Sequence, residues 1–139
     1  MIFKYSICHP EKENIEYKTN PISEKEVIEI AKTYPWIAKL KFSDTLNPED
    51  VYYSPSLDFT NIKNGISFCL TAGYDEIGKL EFSLWFNRPK KVKVLFGFLE
   101  EKEKMVVDDF WSLDFEKSMK YLEYFVNGNY SPIEELYKK

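Results

Sequence analysis

A chain of 139 residues, 44% hydrophobic and 30% charged, has the length of one domain and can bury about two thirds of the surface its unfolded form exposes. Its net charge of −4, with 18 lysines and the single Arg88, disfavours nucleic-acid binding and membrane-surface attachment, since forked phosphate contacts belong to arginine. With one histidine, His9, and two cysteines, Cys8 and Cys69, most zinc and haem schemes fall away.

The elements follow in chain order. Phe3, Tyr5 and Ile7 alternate with polar neighbours and predict a strand, and residues 14–19 repeat the alternation after a charged turn, so the two form a hairpin. Ser23 and Glu26 are spaced as a capping box, and Val27, Ile28, Ala31 and Tyr34 follow at helical spacing until Pro35. Residues 43–60, broken by Pro48 and Pro55, read as a long acidic connection with room for a short strand at residues 51–53. Three strands are predicted next: Ile66 to Ala72, Leu80 to Phe86 and Val92 to Phe98, each with every second residue apolar. Residues 73–79 and 88–90 read as their turns, and residues 105–107 as a fourth strand. Phe115, Met119, Leu122 and Val126 mark a helix capped by Ser112 or Asp114 and stopped at Gly128. A last helix is expected from Ser131, as its cap, with Pro132 in first position and Glu134 closing a capping box. The expected fold is a single α+β domain over residues 1–139: an antiparallel β-meander with an N-terminal hairpin, one face packed by helices.

No run of about 18 apolar residues and no basic leader followed by an apolar stretch is visible, so a cytoplasmic protein with free thiols is expected. Any histidine-based triad, dyad or metal site rests on His9, and strand alternation turns His9 away from Cys8. His9 therefore reads as an exposed residue opening the Pro10 turn. The five glycines form neither a phosphate loop nor a dinucleotide fingerprint. A carboxylate nuclease would draw on Glu100 and Lys102 with Asp58 or Asp75, but the same residues read more simply as a charged turn. No catalytic residue, metal ligand or cofactor is expected.

Charge is segregated along the chain. Residues 43–60 carry Asp44, Glu49, Asp50 and Asp58 and no base, while residues 100–116 carry seven acids and two lysines. Carboxylates gathered in this way speed capture of a basic partner. Aromatics interleave with them, and Trp85 stands among the polar positions of its strand, as interface anchors do. Phe110, Trp111 and most tyrosines read as core. The candidate partner-binding residues are Asp44, Glu49, Asp50, Asp58, Trp85, Glu100, Glu101, Glu103, Asp108 and Asp109.

The stretches Leu80-Glu81-Phe82-Ser83-Leu84-Trp85-Phe86-Asn87 and Val107-Asp108-Asp109-Phe110-Trp111-Ser112-Leu113-Asp114, in an acidic, lysine-rich and aromatic chain, resemble the immunity proteins of bacterial contact-dependent growth inhibition and related toxin systems. That resemblance implies a cytosolic, non-enzymatic protein whose partner is a cognate toxin C-terminal domain, often a basic nuclease, with no nucleic-acid or membrane partner. The alternative expectation is a small-molecule binding domain, its cavity lined by aromatic residues between the sheet and the C-terminal helix.

Overall fold

Alternation with a period of two, repeated in six segments, closes into one antiparallel sheet. The computed structural model describes residues 1–94 and 100–138, and describes side chains for all of these except 91–94 and 100–103. The strands are β1 (Ile2–Cys8), β2 (Glu16–Ser23), β3 (Ser56–Asn61), β4 (Ser67–Tyr74), β5 (Leu80–Val94) and β6 (Glu100–Leu113). Their spatial order is β2-β1-β3-β4-β5-β6 with every neighbouring pair antiparallel. The N-terminal hairpin thus joins the meander through β1 against β3. Helices α1 (Glu24–Thr33) and α2 (Trp36–Asp44) intervene between β2 and β3, and α3 (Phe115–Val126) and α4 (Ser131–Tyr137) follow β6.

Local chemistry explains most boundaries. At the start of α1 the Ser23 hydroxyl accepts from the Glu26 amide while the Glu26 carboxylate accepts from the Ser23 amide, both at 3.2 Å. Asp114, of the two candidates, caps α3 by accepting from the Lys117 amide at 2.7 Å. Gly128, at φ 71°, turns the chain after α3 in the left-handed region that glycine enters without strain. At α4 the expected box does not form: Tyr130 is the cap residue, Ser131 already lies in the helix, and Pro132 occupies the first turn.

The elements depart from the sequence expectation in three places. Helix α2 continues directly after Pro35, with no side-chain cap, because Trp36 and Leu40 bury on the sheet and the Trp36 indole donates to the Ala31 carbonyl at 2.9 Å. The acidic connection ends at residue 55: Leu57 and Phe59 are fully buried in β3, whereas residues 51–53 form no strand. Residues 88–90 make no turn. Strand β5 runs through Pro89, opposite Met105 of β6 and past the last residue paired with β4, Asn87. A proline is tolerated in such an edge-like position. The expected strand ending at Phe98 extends into residues 95–99, outside the described residues.

One face of the sheet holds the core. Phe3, Leu57, Phe59, Phe68, Leu70, Phe82, Leu84 and Phe86 are all fully buried there, and Val27, Ala31, Trp36, Leu122, Phe125 and Ile133 from the four helices join the same cluster. Aromatic rings fill the gap between sheet and helices. Phe125 of α3 lies 5.6 Å from Phe3 and 5.5 Å from Phe68, and Trp36 meets Phe82 edge-on at 5.0 Å. Arg88, also buried, places a charge on this face. It pairs with Asp108 at 2.7 Å and with Glu134 of α4, and its guanidinium lies 5.0 Å from the Phe86 ring centre and 5.9 Å from that of Tyr137. The Tyr137 hydroxyl donates to the Leu84 carbonyl at 2.8 Å, fixing α4 to β5. Phe125→Ala removes a fully buried ring that contacts two strands, and urea titration is expected to record a loss of about 3–5 kcal/mol.

Candidate functional site

All four helices contribute to the core on one side of the sheet, so the opposite face is defined by the alternate strand residues. The register lays these out in rows. The central row reads Tyr17, Ser6, Asp58, Cys69, Trp85 and Asp109, each directly opposite the next on the neighbouring strand. Beside it run Lys4, Thr60, Ser67, Asn87 and Val107 on one flank and Cys8, Ser56, Thr71 and Ser83 on the other. A groove of about 360 Å³ is sunk into this surface, lined by Asp58, Ser67, Cys69, Thr71, Trp85, Asn87 and Val107. A second of about 310 Å³ adjoins it across Asp58, lined by Lys4, Ser6, Tyr17, Lys18 and Thr60 among others.

The surface is unusual for one that no helix among the described residues covers. Short neutral side chains occupy its middle, and Ser56, Ser67 and Ser83 are buried. The Ser56 and Thr71 hydroxyls lie 3.1 Å apart and the Cys69 sulfur sits 3.7 Å from the Thr71 hydroxyl. Within this setting Asp58 carries a carboxylate whose Oδ1 has no hydrogen-bond partner among the described residues. Burial pushes its carboxyl up to about 6. The same burial, with the Asp58 charge adding to it, raises the thiols of Cys8 and Cys69. Both cysteines are free, and both stay protonated near neutrality, the opposite of what an activated nucleophile needs.

Strand β6 shapes one rim of the face. Phe82 pairs with Leu113 and Leu84 with Phe110, so Trp111 and Ser112 together oppose Ser83 in a β-bulge. Ser112 takes φ 76°, a strained value for a residue with a Cβ. Trp111 then lies beside Gly73, on the alternation of Cys69 and Thr71, with its Cζ3 4.0 Å from where a Cβ would stand. Trp111 and Phe110 are 47% and 38% exposed, which corrects the expectation that both are core: they sit on an edge strand with no further strand to cover them.

His9 is also corrected. It is buried, not exposed, because β2 and α2 close over it: Nε2 lies 2.8 Å from a Glu16 carboxylate oxygen and Nδ1 lies 3.2 Å from the Lys39 amine. An ammonium can only donate, so Nδ1 accepts and Nε2 donates to Glu16. Lys18 pairs with the same carboxylate at 2.8 Å, and the hydrogen bonds from Lys18 and His9 hold Glu16 at about 2. Both nitrogens of the histidine are thus engaged in tying the hairpin to α2. Among the described residues no group of three His, Cys, Asp or Glu side chains is placed to hold a metal ion, and no helix is long and apolar enough to cross a membrane.

The ten residues singled out in the sequence divide accordingly. Asp58, Trp85 and Asp109 come together in the central row. Asp108 points to the helix side, into its pair with Arg88. Asp44 ends α2 and accepts from the Tyr74 hydroxyl at 3.1 Å, and Glu49 and Asp50 occupy an exposed 3-10 turn, Pro48–Asp50. Glu100, Glu101 and Glu103 stand at backbone positions opposite Val94, Lys93 and Lys91; their side chains are outside the described residues. The acids therefore do not form one patch. Sequence reasoning missed Cys69, Thr71, Asn87 and Trp111 as members of the face, although the polar positions of the strand at residues 66–72 already carried the first two. Comparison with protein-family models, with curated proteins and with solved structures finds no match to this chain.

The buried carboxylate sets a pH dependence. Its folded value of about 6 lies above the ordinary 3.8, so the folded state holds the proton more tightly. Stability falls as pH rises from about 4 through 6, by roughly 2–3 kcal/mol in all. Asp58→Asn is expected to be more stable than the parent at pH 7.5 by about this amount and indistinguishable from it below pH 4, as measured by urea unfolding across the range.

Proposed function

We propose that this chain is a non-enzymatic inhibitor of a basic partner protein, an immunity protein whose partner is the toxin domain produced with it, and that the uncovered sheet face is its contact surface. The observation that carries the reading is the central row, where Asp58 and Asp109 flank Cys69 and Trp85 on a face left free of helices. A folded domain gains nothing from keeping two tryptophans, and a carboxylate unpartnered among the described residues, on such a face, whereas aromatic anchors beside carboxylates are what binding surfaces use. The resemblance of residues 80–87 and 107–114 to immunity proteins supports the same reading, since both stretches supply this face. Its carboxylates would speed capture of a lysine- or arginine-lined cleft, and Trp85 and Trp111 would hold the complex once formed. The small-molecule reading places its cavity between the sheet and the C-terminal helix, but there Phe125 packs on Phe3 and Phe68. The groove of about 360 Å³ lies on the opposite face, and its volume suits a small ligand whose binding thermal stabilisation by a metabolite would reveal.

Coexpression with the toxin domain encoded immediately upstream tests the proposal. Cells are expected to survive, and the purified pair is expected to associate at a rate that falls steeply with added salt. Asp109→Lys, an exposed change on the face, is expected to slow association about tenfold. Absence of protection by the parent chain overturns the proposal.

A further inference from the structure

The groove on the uncovered face has a chemistry narrower than a general acidic patch. The one charge among the described residues that line it is Asp58, set between β1 and β4. Among the described residues, no lysine or arginine nitrogen comes within ion-pair distance of that carboxylate. Two lysines line the adjoining groove with Asp58: Lys18 is paired with Glu16, and Lys4 is exposed and outside ion-pair distance of the carboxylate. A carboxylate taken from water and given no partner costs stability, and a cation that enters the groove recovers that cost.

The lining also favours one kind of cation. Trp85 stands one strand beyond Cys69 on the row of Asp58, so a planar group resting on the carboxylate can reach the indole face. Oxygen acceptors ring the remainder: the Thr71 and Ser67 hydroxyls and the Asn87 side chain. An ammonium is compact and keeps its hydration, and its three donors radiate from one atom. A guanidinium is flat and weakly hydrated, and it carries five donors in its plane, enough for a carboxylate and two or three further acceptors while its face stacks on an aromatic ring.

We infer that this groove is a receptor for an arginine side chain presented by the partner, with Asp58 binding the guanidinium, Trp85 stacking on it, and Ser67, Thr71 and Asn87 accepting its remaining N–H groups. This rests on the reading of the face as a protein-binding surface and names the group that surface recognises. Asp109, at the exposed end of the row, attracts the approaching base, whereas Asp58 selects it.

The test uses the full chain and three blocked tripeptides, acetyl-Gly-Arg-Gly-amide, its lysine counterpart and its citrulline counterpart, the last having the shape of arginine without the charge. The readout is the NMR shift of the Trp85 indole N–H, assigned by its disappearance in Trp85→Phe, together with the Cys69 and Thr71 amides. The arginine peptide is expected to shift all three with a Kd on the order of millimolar. Lysine is expected to bind more weakly and citrulline to leave the signals in place. Asp58→Asn, which keeps the shape and is expected to fold, should weaken arginine binding about tenfold, the size of one charge-assisted hydrogen bond. Equal responses to arginine and citrulline, equal responses to arginine and lysine, or an unchanged affinity in Asp58→Asn each overturn the assignment. Its failure is distinct from failure of the inhibitor reading: a chain that protects cells equally well as Asp58→Asn keeps the function and loses the arginine receptor, while arginine binding without protection does the reverse.

Discussion

A sheet has two faces, and in this molecule the helices attend to one. Phe3, Ile7, Leu57, Phe59, Phe68, Leu70, Phe82, Leu84 and Phe86 of β1, β3, β4 and β5 are buried in one cluster with Phe125, Trp36 and Ile133, and the period of two then compels the intervening residues onto the other side. No helix among the described residues buries that side, yet it is not dressed as an ordinary wet surface. Its centre carries serine, threonine and cysteine, with charge held to Asp58 and, at the end of the row, Asp109. Small neutral groups let neighbouring strands hide one another's backbone without filling the space above them, which leaves the groove. A long charged side chain in those positions would have reached water and closed it.

The cost of this arrangement falls on Asp58. Its burial disfavours the charged form, and nothing among the described residues compensates. Burying an uncompensated charge is a recognised mark of a site kept for binding at the expense of stability. The contrast with Arg88 is instructive. Arg88 is at least as buried, but it meets two carboxylates, two carbonyl oxygens and two aromatic rings, so its charge belongs to the architecture.

Much of the fold was legible where one rule acts over a short range. The capping box at Ser23, the alternation in β1, β4 and β5, and the stripe of α3 all depend on neighbours within a few residues, and all appear as read. What escaped depends on distant partners. Leu57 and Phe59 alternate as any strand does, but four acids and two prolines around them gave the stretch the look of a loop. Pro35 stops one helix and begins another because Trp36 has Phe82 to pack against, a contact between residues 46 positions apart. Pro89 sits in a strand because β4 has already ended beside it. The site was half legible for a similar reason. Asp58, Trp85 and Asp109 were each conspicuous, but as a loop acid, an odd strand tryptophan and one of a run of carboxylates. Their meeting is a matter of register across three strand pairs, and register is not written in any one segment. Asp108 and Asp109 look alike in sequence, and alternation sends the first to Arg88 and the second to the end of the row opposite Trp85.

Past Asn87, strand β5 leaves β4 behind and continues with β6 alone. Among the described residues these two strands form an arm with no third beside them, and at its base Arg88 pairs with Glu134 of the last helix and with Asp108 of the companion strand. Helix α4 adds a second tie at this base, through the Tyr137 hydroxyl on the Leu84 carbonyl. The final helix, seven residues long, is in this sense a bracket that holds β5 at the point where the two-stranded arm leaves the sheet.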